Sequence, residues 1–213
     1  MNESAEKIIK IIKSIKKDQL QGTKSHLKLV PMMNNIPIRK MTAPPNTRES
    51  AVLIPLIEDN DGTLSIILTL RSENLSNHQG QISFPGGKIE KNETIVEAAL
   101  RETFEEIGVE DSNIEIIGQI SDLYVPPSNS VIHPVIGLVK SNVKFKINQS
   151  EVQEIIKVKL EFLLDKSNLQ FEDWDFKGEI VKVPLWRIHK LKPLWGATAM
   201  ILSELIDLIN SEI

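Results

Sequence analysis

Residues 86–109 read GGKIEKNETIVEAALRETFEEIGV. The stretch joins a glycine pair, a short acidic loop and a segment with helix signals at both ends. Thr94 followed by Glu97 has the spacing of a capping box, and Gly108 is typical of the residue that follows a helix. The sequence therefore predicts a turn, a loop and a helix in direct succession.

A helical wheel at 3.6 residues per turn divides this helix into two faces. It predicts a largely apolar face that packs on the core, made of Val96, Leu100, Thr103, Phe104 and Ile107. Glu102, Glu105 and Glu106 fall together on the opposite face. Lys and Arg are scarce there, so internal salt bridges are not expected to relieve the crowding. Such carboxylates repel one another, and a hard divalent cation would turn the repulsion into binding. A solvated acidic face without a ligand is the alternative.

The cation expected here is Mg²⁺ or Mn²⁺. The chain has no cysteine, so a metal must be held by oxygen or imidazole groups. Gly86 and Gly87 let the backbone come close to metal and substrate, and a carbonyl of Gly87 is a further expected ligand. A water bound to the cation would lose a proton near neutral pH, with a free carboxylate as its base.

The composition is typical of one good-sized globular domain. The 213 residues are 41% hydrophobic, and 25 Lys and Arg against 29 Asp and Glu give a net charge of −4. This mild acidity argues against a nucleic-acid partner. No apolar run reaches the about 18 residues that span a bilayer, so no membrane association and a cytoplasmic location are expected. The oligomeric state is open, with a homodimer as one option.

Two regions are predicted along the chain. Residues 1–47 would form a helix with a stripe of isoleucines, packed on its own domain or lying on a membrane surface, and an extended lead-in. Residues 48–213 would form the regular domain, closed by a helix at 195–209. Strands are predicted at 51–57, 64–70, 81–84, 114–123, 131–139, 154–160, 169–176 and 179–183. Pro55 suggests an edge or a bulge in the first of these.

This order of elements favours an α/β (α+β) fold with a mixed, largely antiparallel sheet and helices outside. The spacing Gly87, Glu93, Arg101-Glu102, Glu105-Glu106, Gly108 resembles the Nudix box, which identifies the chain as similar to the Nudix hydrolase family. The resemblance implies an α/β/α sandwich and hydrolysis of a nucleoside diphosphate linked to another group. It makes the three helix glutamates metal ligands, with Glu93 and Arg101 as a supporting ion pair.

Flanking residues resemble the coenzyme A pyrophosphatase branch of that family. They are LTLRS at 68–72, Gly80, FPGG at 84–87, EVQE at 151–154 and LWGATA at 194–199. The branch cleaves coenzyme A to 3′,5′-ADP and 4′-phosphopantetheine, which implies a coenzyme A-like nucleotide as the small-molecule partner. Ser76 departs from the branch, which has a second arginine there. The alternatives are hydrolysis of ADP-ribose or another nucleoside diphosphate derivative, and a sensing module without turnover.

Further site residues are predicted around the box. Arg71, Arg48, Lys88 and His78, together with Gly86, are candidates for substrate binding. Glu151 and Glu154 are candidates for a general base or a further metal ligand, and solvated loop acids are the alternative for both. For His133 the sequence favours a buried, hydrogen-bonded histidine, and for Trp195 a packing role.

Overall fold

A computed structural model describes residues 1–39, 41–73 and 79–212. The α-helices within these ranges are α1 Glu3–Ser14, α2 Thr23–His26, α3 Ile95–Ile107, α4 Leu160–Leu164 and α5 Gly196–Asn210. The strands are β1 Met32–Met33, β2 Ile36–Pro37, β3 Arg48–Glu58, β4 Leu64–Arg71, β5 Ile82–Ser83, β6 Gly86–Lys88, β7 Ile114–Gln119, β8 Leu123–Val125, β9 Ser130–Val139, β10 Val152–Lys159, β11 Leu169–Phe176, β12 Glu179–Trp186 and β13 Leu194–Trp195.

The main sheet has the strand order β10-β4-β3-β9-β7. The central pair, β3 and β9, is parallel, and Arg48–Ile57 pair in register with Ser130–Val139. The other strand pairs of this sheet are antiparallel. The short strands β5, β6 and β8 add to β4, β3 and β9 respectively. The predicted mixed, largely antiparallel sheet is confirmed.

Helices cover both faces of this sheet. The α3 face is tight, because the small side chains of Ala98 and Ala99 pack on Ala51, Leu53 and Val135. The other face carries the larger core, in which residues of α1 and α5 pack on alternate residues of the strands. The arrangement is the α/β/α sandwich that the sequence predicts.

Pro55 lies in a central strand, so the expectation of an edge position is wrong. It is buried, and its register partner in β9 is Gly137. On its other side, β3 pairs with β4 from Leu56 onward and with β6 only up to Val52. Proline is tolerated because it falls where one partner strand ends and the next has not begun.

The N-terminal segment is folded onto the sandwich. Helix α1 buries five residues, Ala5, Ile8, Ile9, Ile11 and Ile12. The segment after it is less extended than expected, since α2 and the antiparallel pair β1–β2 interrupt it. A division of the chain at residue 48 stays a prediction. Within the described ranges, no helix combines the length and the apolar character that a bilayer crossing needs.

A second, small sheet extends the molecule. Its order is β11-β12-β1-β2, with β13 added to β12. The predicted strand pair around Lys177 and Gly178 is confirmed as the hairpin β11–β12. Strand β13 leads directly into α5, so this sheet connects the N-terminal segment with the start of the last helix.

Candidate active site

Helix α3 begins and ends where the sequence predicts. Thr94 and Glu97 form a reciprocal capping box, and Gly108 has the left-handed conformation that ends the helix. The predicted helix faces are only partly correct, since Thr103 and Ile107 are buried but Phe104 is not. The buried residues are Ala98, Ala99, Thr103, Glu106 and Ile107, and Phe104 is 52% exposed. The small side chains of Ala98 and Ala99 allow α3 to lie close to β3. In this orientation of the helix, Glu102 and Glu106 face the sheet.

Glu106 is the most deeply buried of these acids, with only 1% of its side chain exposed. One carboxylate oxygen accepts a hydrogen bond from Nη1 of Arg71 at 3.2 Å. The other has no hydrogen-bond partner among the described residues. Burial raises the pKa of Glu106 to about 8, and the charges of Glu102 and Glu151 act in the same direction. Together these effects outweigh the charge of Arg71, which lowers the pKa.

Arg101 is the centre of an ion-pair network. It donates to Glu93 at 2.7 and 3.1 Å, to Glu102 at 2.9 Å and to Glu105 at 3.1 Å. It also donates to the carbonyl of Lys88 at 3.0 Å. The expectation that no cation relieves the crowding is therefore wrong, since Arg101 reaches three acids and Arg71 a fourth. The Glu93–Arg101 pair links loop and helix.

Glu102 is the second buried acid of the helix, with 14% of its side chain exposed. Burial raises its pKa, and the charges of Glu105 and Glu151 act in the same direction against Arg101. Glu105 is 47% exposed and lies at the solvent side. The three helix acids thus form a gradient from solvent to core.

The glycine pair leaves no room for side chains. Gly86 has φ of 156°, and a Cβ there would overlap the backbone of Ala51 and Val52. A Cβ on Gly87 would overlap the carboxylate of Glu102. Strand β6 therefore lies against the carboxylate of Glu102. Approach of this backbone to a metal and a substrate stays a prediction.

Glu151 joins this group, although it is 45 residues beyond Glu106 in the sequence. Its charge contributes to the raised pKa values of both Glu102 and Glu106. Its backbone carbonyl accepts from the amide of Ser72 at 2.8 Å, and its carboxylate accepts from Asn148 at 3.2 Å. These contacts hold the start of β10 against the end of β4.

Glu154 is not brought to this group. Its side chain pairs with His189 at 3.3 Å and is 52% exposed. Along β10, Ile155 packs on the α3 side and Ile156 on the α5 side. Since side chains alternate along a strand, Glu154 lies on the α5 side with Ile156.

The other predicted substrate residues differ in position. Arg71 lies at the carboxylates, as described above. Arg48 is exposed at the start of β3, where its amide donates to Asn129 at 3.0 Å. Lys88 is exposed at the end of β6. His78 and Ser76 lie outside the described residues.

The donor set fits a hard divalent cation. The carboxylates of Glu102 and Glu106 are oxygen ligands of the type that Mg²⁺ and Mn²⁺ prefer, and one oxygen of Glu106 is buried without a partner. Within the described ranges, no three acidic or histidine side chains are arranged as a ready-made metal site. Instead, Arg101 holds the carboxylates of Glu102 and Glu105, and Arg71 holds that of Glu106.

His133 is a neighbour of the site that the sequence did not assign to it. Its ring nitrogens contact Asp122 at 2.7 Å and Glu49 at 2.5 Å. These contacts raise the pKa of His133, with Asp122 as the largest cause. Gly87, Ala51 and His133 are in register across three strands, so His133 lies roughly 10 Å from Gly87 on the same face. The pairing of β3 with β6 and with β9 places it there, and the sequence alone does not show this pairing.

A family profile described as the NUDIX domain matches residues 47–181. The chain belongs to the Nudix family. Nudix hydrolase 3 of Caenorhabditis elegans is 31% identical over 179 residues, which cover 76% of this chain and 74% of that protein. An uncharacterised Nudix hydrolase, NudL of Yersinia enterocolitica, is 34% identical over 167 residues, which cover 78% and 83% of the two chains.

Solved Nudix structures share the fold. A MutT/nudix family protein from Enterococcus faecalis superimposes with a TM-score of 0.55 at 15% identity, over 99% of this chain and 76% of that chain. The MutT protein of Methanosarcina mazei Go1 gives a TM-score of 0.51 at 19% identity, over 79% and 98% of the chains. The family assignment supports hydrolysis of pyrophosphate bonds, the reaction of Nudix hydrolases, which generally use divalent metals.

Proposed function

We propose that this Nudix protein hydrolyses the diphosphate of coenzyme A or its thioesters, with Mg²⁺ or Mn²⁺ as cofactor. The products are 3′,5′-ADP and 4′-phosphopantetheine, or the acyl form of the latter. One observation carries the hydrolytic part of the proposal: the carboxylate of Glu102 lies against Gly87 of β6, and Glu106, one turn further along α3, has a buried carboxylate oxygen without a described partner. Acids that are packed together and deprived of solvent are the arrangement that a divalent cation stabilises.

Each residue of this group has a role in the proposed reaction. Glu102 and Glu106 would hold the cation, with Glu105 and the carbonyl of Gly87 as further ligands. When bound, the cation supplies a water of lowered pKa and neutralises charge on the diphosphate. Glu151 would orient the attacking water and accept its proton. The water oxygen bonds to one phosphorus, the bond from that phosphorus to the bridging oxygen breaks, and the second phosphate leaves.

The remaining residues act as supports. Arg101 and Glu93 keep the loop and helix in register. Arg71 is the phosphate-binding candidate that lies at the carboxylates, since its guanidinium already reaches Glu106. Two N–H groups of a guanidinium can donate hydrogen bonds to two oxygens of one phosphate. Gly86 allows the substrate to approach the backbone, while Arg48 and Lys88 lie at the exposed ends of their strands.

The coenzyme A assignment rests on the sequence around the box rather than on the box itself. Residues 68–72, 84–87 and 194–199 carry the resemblance to the coenzyme A branch. Ser76 favours a second candidate, ADP-ribose or another nucleoside diphosphate derivative, because serine cannot replace a bidentate arginine. Loss of the box acids is typical of sensing modules, and this chain keeps all of them.

A substrate panel tests the assignment. The protein is incubated with coenzyme A, acetyl-coenzyme A, ADP-ribose and diadenosine tetraphosphate, each with Mg²⁺ and with Mn²⁺, and kcat/KM is measured. We expect the highest value for coenzyme A or its thioester. A preference for ADP-ribose would replace the first candidate with the second, and release of no product from any diphosphate would favour the sensing module. Cytoplasmic location and a homodimeric state stay predictions.

A further inference from the structure

Arg39 is a largely enclosed cation that has no acidic partner among the described residues. It follows β2, ahead of the residues that match the NUDIX profile. Its described side-chain contact is a weak one, from Nη1 to the sulfur of Met200 at 4.0 Å. None of the ion pairs between described residues includes Arg39. Burial lowers the pKa of Arg39.

An enclosed guanidinium with no counter-charge costs stability. Proteins therefore pair such groups or reserve them for an anion that comes from outside. Of the other arginines, Arg71, Arg101 and Arg187 each pair with a glutamate, and Arg48 is exposed to solvent. Arg39 also keeps part of its surface exposed, so an anion can reach it. The contrast points to a ligand as its missing partner.

The position of Arg39 connects it with the candidate active site. Its Nη2 lies 3.4 Å from where a Cβ of Gly196 would stand, at the first residue of α5. Two residues further along the chain, the hydroxyl of Thr198 donates to the carbonyl of Ile82 at 3.1 Å. Ile82 is four residues before Gly86, a span of at most about 14 Å. Arg39 thus lies beyond β5, the strand that leads into the glycine pair.

We propose that Arg39 is a specificity-determining residue that binds a phosphomonoester of the substrate outside the scissile diphosphate. In coenzyme A this group is the 3′-phosphate. The proposal rests on the proposed function and deepens it. Arg39, in the N-terminal segment, would also supply the cation that is missing at Ser76, where the coenzyme A branch has an arginine. ADP-ribose carries no such phosphate, so the same residue separates the two candidate substrates.

Steady-state kinetics with a matched substrate pair tests the proposal. Coenzyme A and dephospho-coenzyme A differ only in the 3′-phosphate. For Arg39→Met we expect kcat/KM to fall about tenfold or more with coenzyme A, mainly through KM, and to change less than twofold with dephospho-coenzyme A. Arg39→Lys should recover part of the loss because it restores the charge. An equal loss with both substrates, or no loss with either, would overturn the proposal.

Two further measurements separate a binding role from a structural one. Arg39→Met should keep or raise the Tm, because it removes an unpaired charge, whereas a structural arginine would lower it on removal. Lys13→Ala serves as the control, because it removes an exposed cation that pairs with Glu115 on the α1 side. It should leave kcat/KM unchanged with both substrates.

Binding of 3′,5′-ADP and 5′-AMP, measured by calorimetry, keeps the test independent of turnover. The subsite is supported, even if coenzyme A is not cleaved, if the wild-type protein binds 3′,5′-ADP more tightly than 5′-AMP and Arg39→Met removes this difference. Equal affinity of the wild-type protein for both nucleotides overturns the subsite, whether or not the proposed function holds.

Discussion

The guanidinium of Arg71 lies 3.2 Å from the carboxylate of Glu106, whose side chain is only 1% exposed. The pair joins the end of β4 to the last turn of α3. It brings a phosphate-binding candidate and a metal-binding candidate into contact, although 35 residues separate them in the sequence. An acid held in this way is poorly solvated, and its proton affinity becomes a measurable property of the site.

The stability of the metal-free protein should depend on Glu106. Its folded-state pKa of about 8 lies above the ordinary value of 4.5. The contribution of a raised pKa is therefore fully present below about pH 4.5 and is lost as the pH rises toward 8, by at most about 1.4 kcal/mol per unit. Urea unfolding in EDTA should show this decline, and Glu106→Gln should reduce its slope. An identical slope in the variant would contradict the assignment.

A divalent cation should oppose the same decline. Because the cation binds the deprotonated carboxylates, the stabilisation by Mg²⁺ should grow as the pH rises from about 5 to 8. Thermal unfolding with and without Mg²⁺ measures the difference. A constant shift over this range, or the same shift in Glu106→Gln, would place the cation elsewhere.

Arg101→Lys should weaken the site without unfolding the protein. Lysine cannot reproduce the planar contacts to Glu93, Glu102 and Glu105 at once. We expect kcat/KM to fall about tenfold and the affinity for Mn²⁺ to fall with it, as measured by calorimetry. Glu93→Gln removes one contact from the same network and should act in the same direction. Wild-type Mn²⁺ affinity in both variants would exclude a positioning role.

His133 should titrate above its ordinary value of 6.5, because Asp122 and Glu49 stabilise its charged form. With a raised folded-state pKa, its contribution to stability is present below pH 6.5 and is lost as the pH rises through the folded value. NMR titration of the imidazole should give a lower pKa in Asp122→Asn and in Glu49→Gln than in the wild-type protein. Glu115→Gln, an exposed acid of β7, is the control. An unchanged His133 pKa in both partner variants would contradict the contacts.

Glu204→Gln should destabilise the protein by about 2–4 kcal/mol. Glu204 is completely buried in α5, and it accepts from the amides of Gly22 and Ser121 and from the Ser121 hydroxyl at 2.6–2.9 Å. An amide NH₂ group in place of one oxygen would face donors. Urea unfolding measures the loss, and the exposed Glu161→Gln is the control. A loss equal to that of Glu161→Gln would show that the network adds no stability.

Local sequence signals predicted α3 well. The capping box of Thr94 and Glu97 and the stop at Gly108 are backbone effects that depend on neighbouring residues alone. The glycine pair was equally informative, because close packing between β6 and α3 leaves no other choice. The same holds for the hairpin β11–β12, whose turn residues mark it directly.

The predicted helix faces were wrong at Phe104 and Glu106, for a reason that lies outside the helix. Hydrophobicity favoured Phe104 as a core residue, whereas Ala98 and Ala99 set how closely α3 approaches β3. Arg71 then supplies the buried counter-charge that Glu106 needs, from a strand far along the chain. The same limit applies to Glu151 and Glu154, three residues apart, because only the sheet decides which one faces the helix.

The central claim is that the acids of α3 support hydrolysis of a coenzyme A diphosphate. The most direct test is product analysis after incubation of the wild-type protein with coenzyme A and Mg²⁺, with Glu106→Gln as the matched control. We predict 3′,5′-ADP and 4′-phosphopantetheine in equal amounts from the wild-type protein, and at least about 100-fold less from the variant at a Tm within a few degrees. Intact coenzyme A after incubation with the wild-type protein, or near wild-type turnover by Glu106→Gln, would contradict the claim.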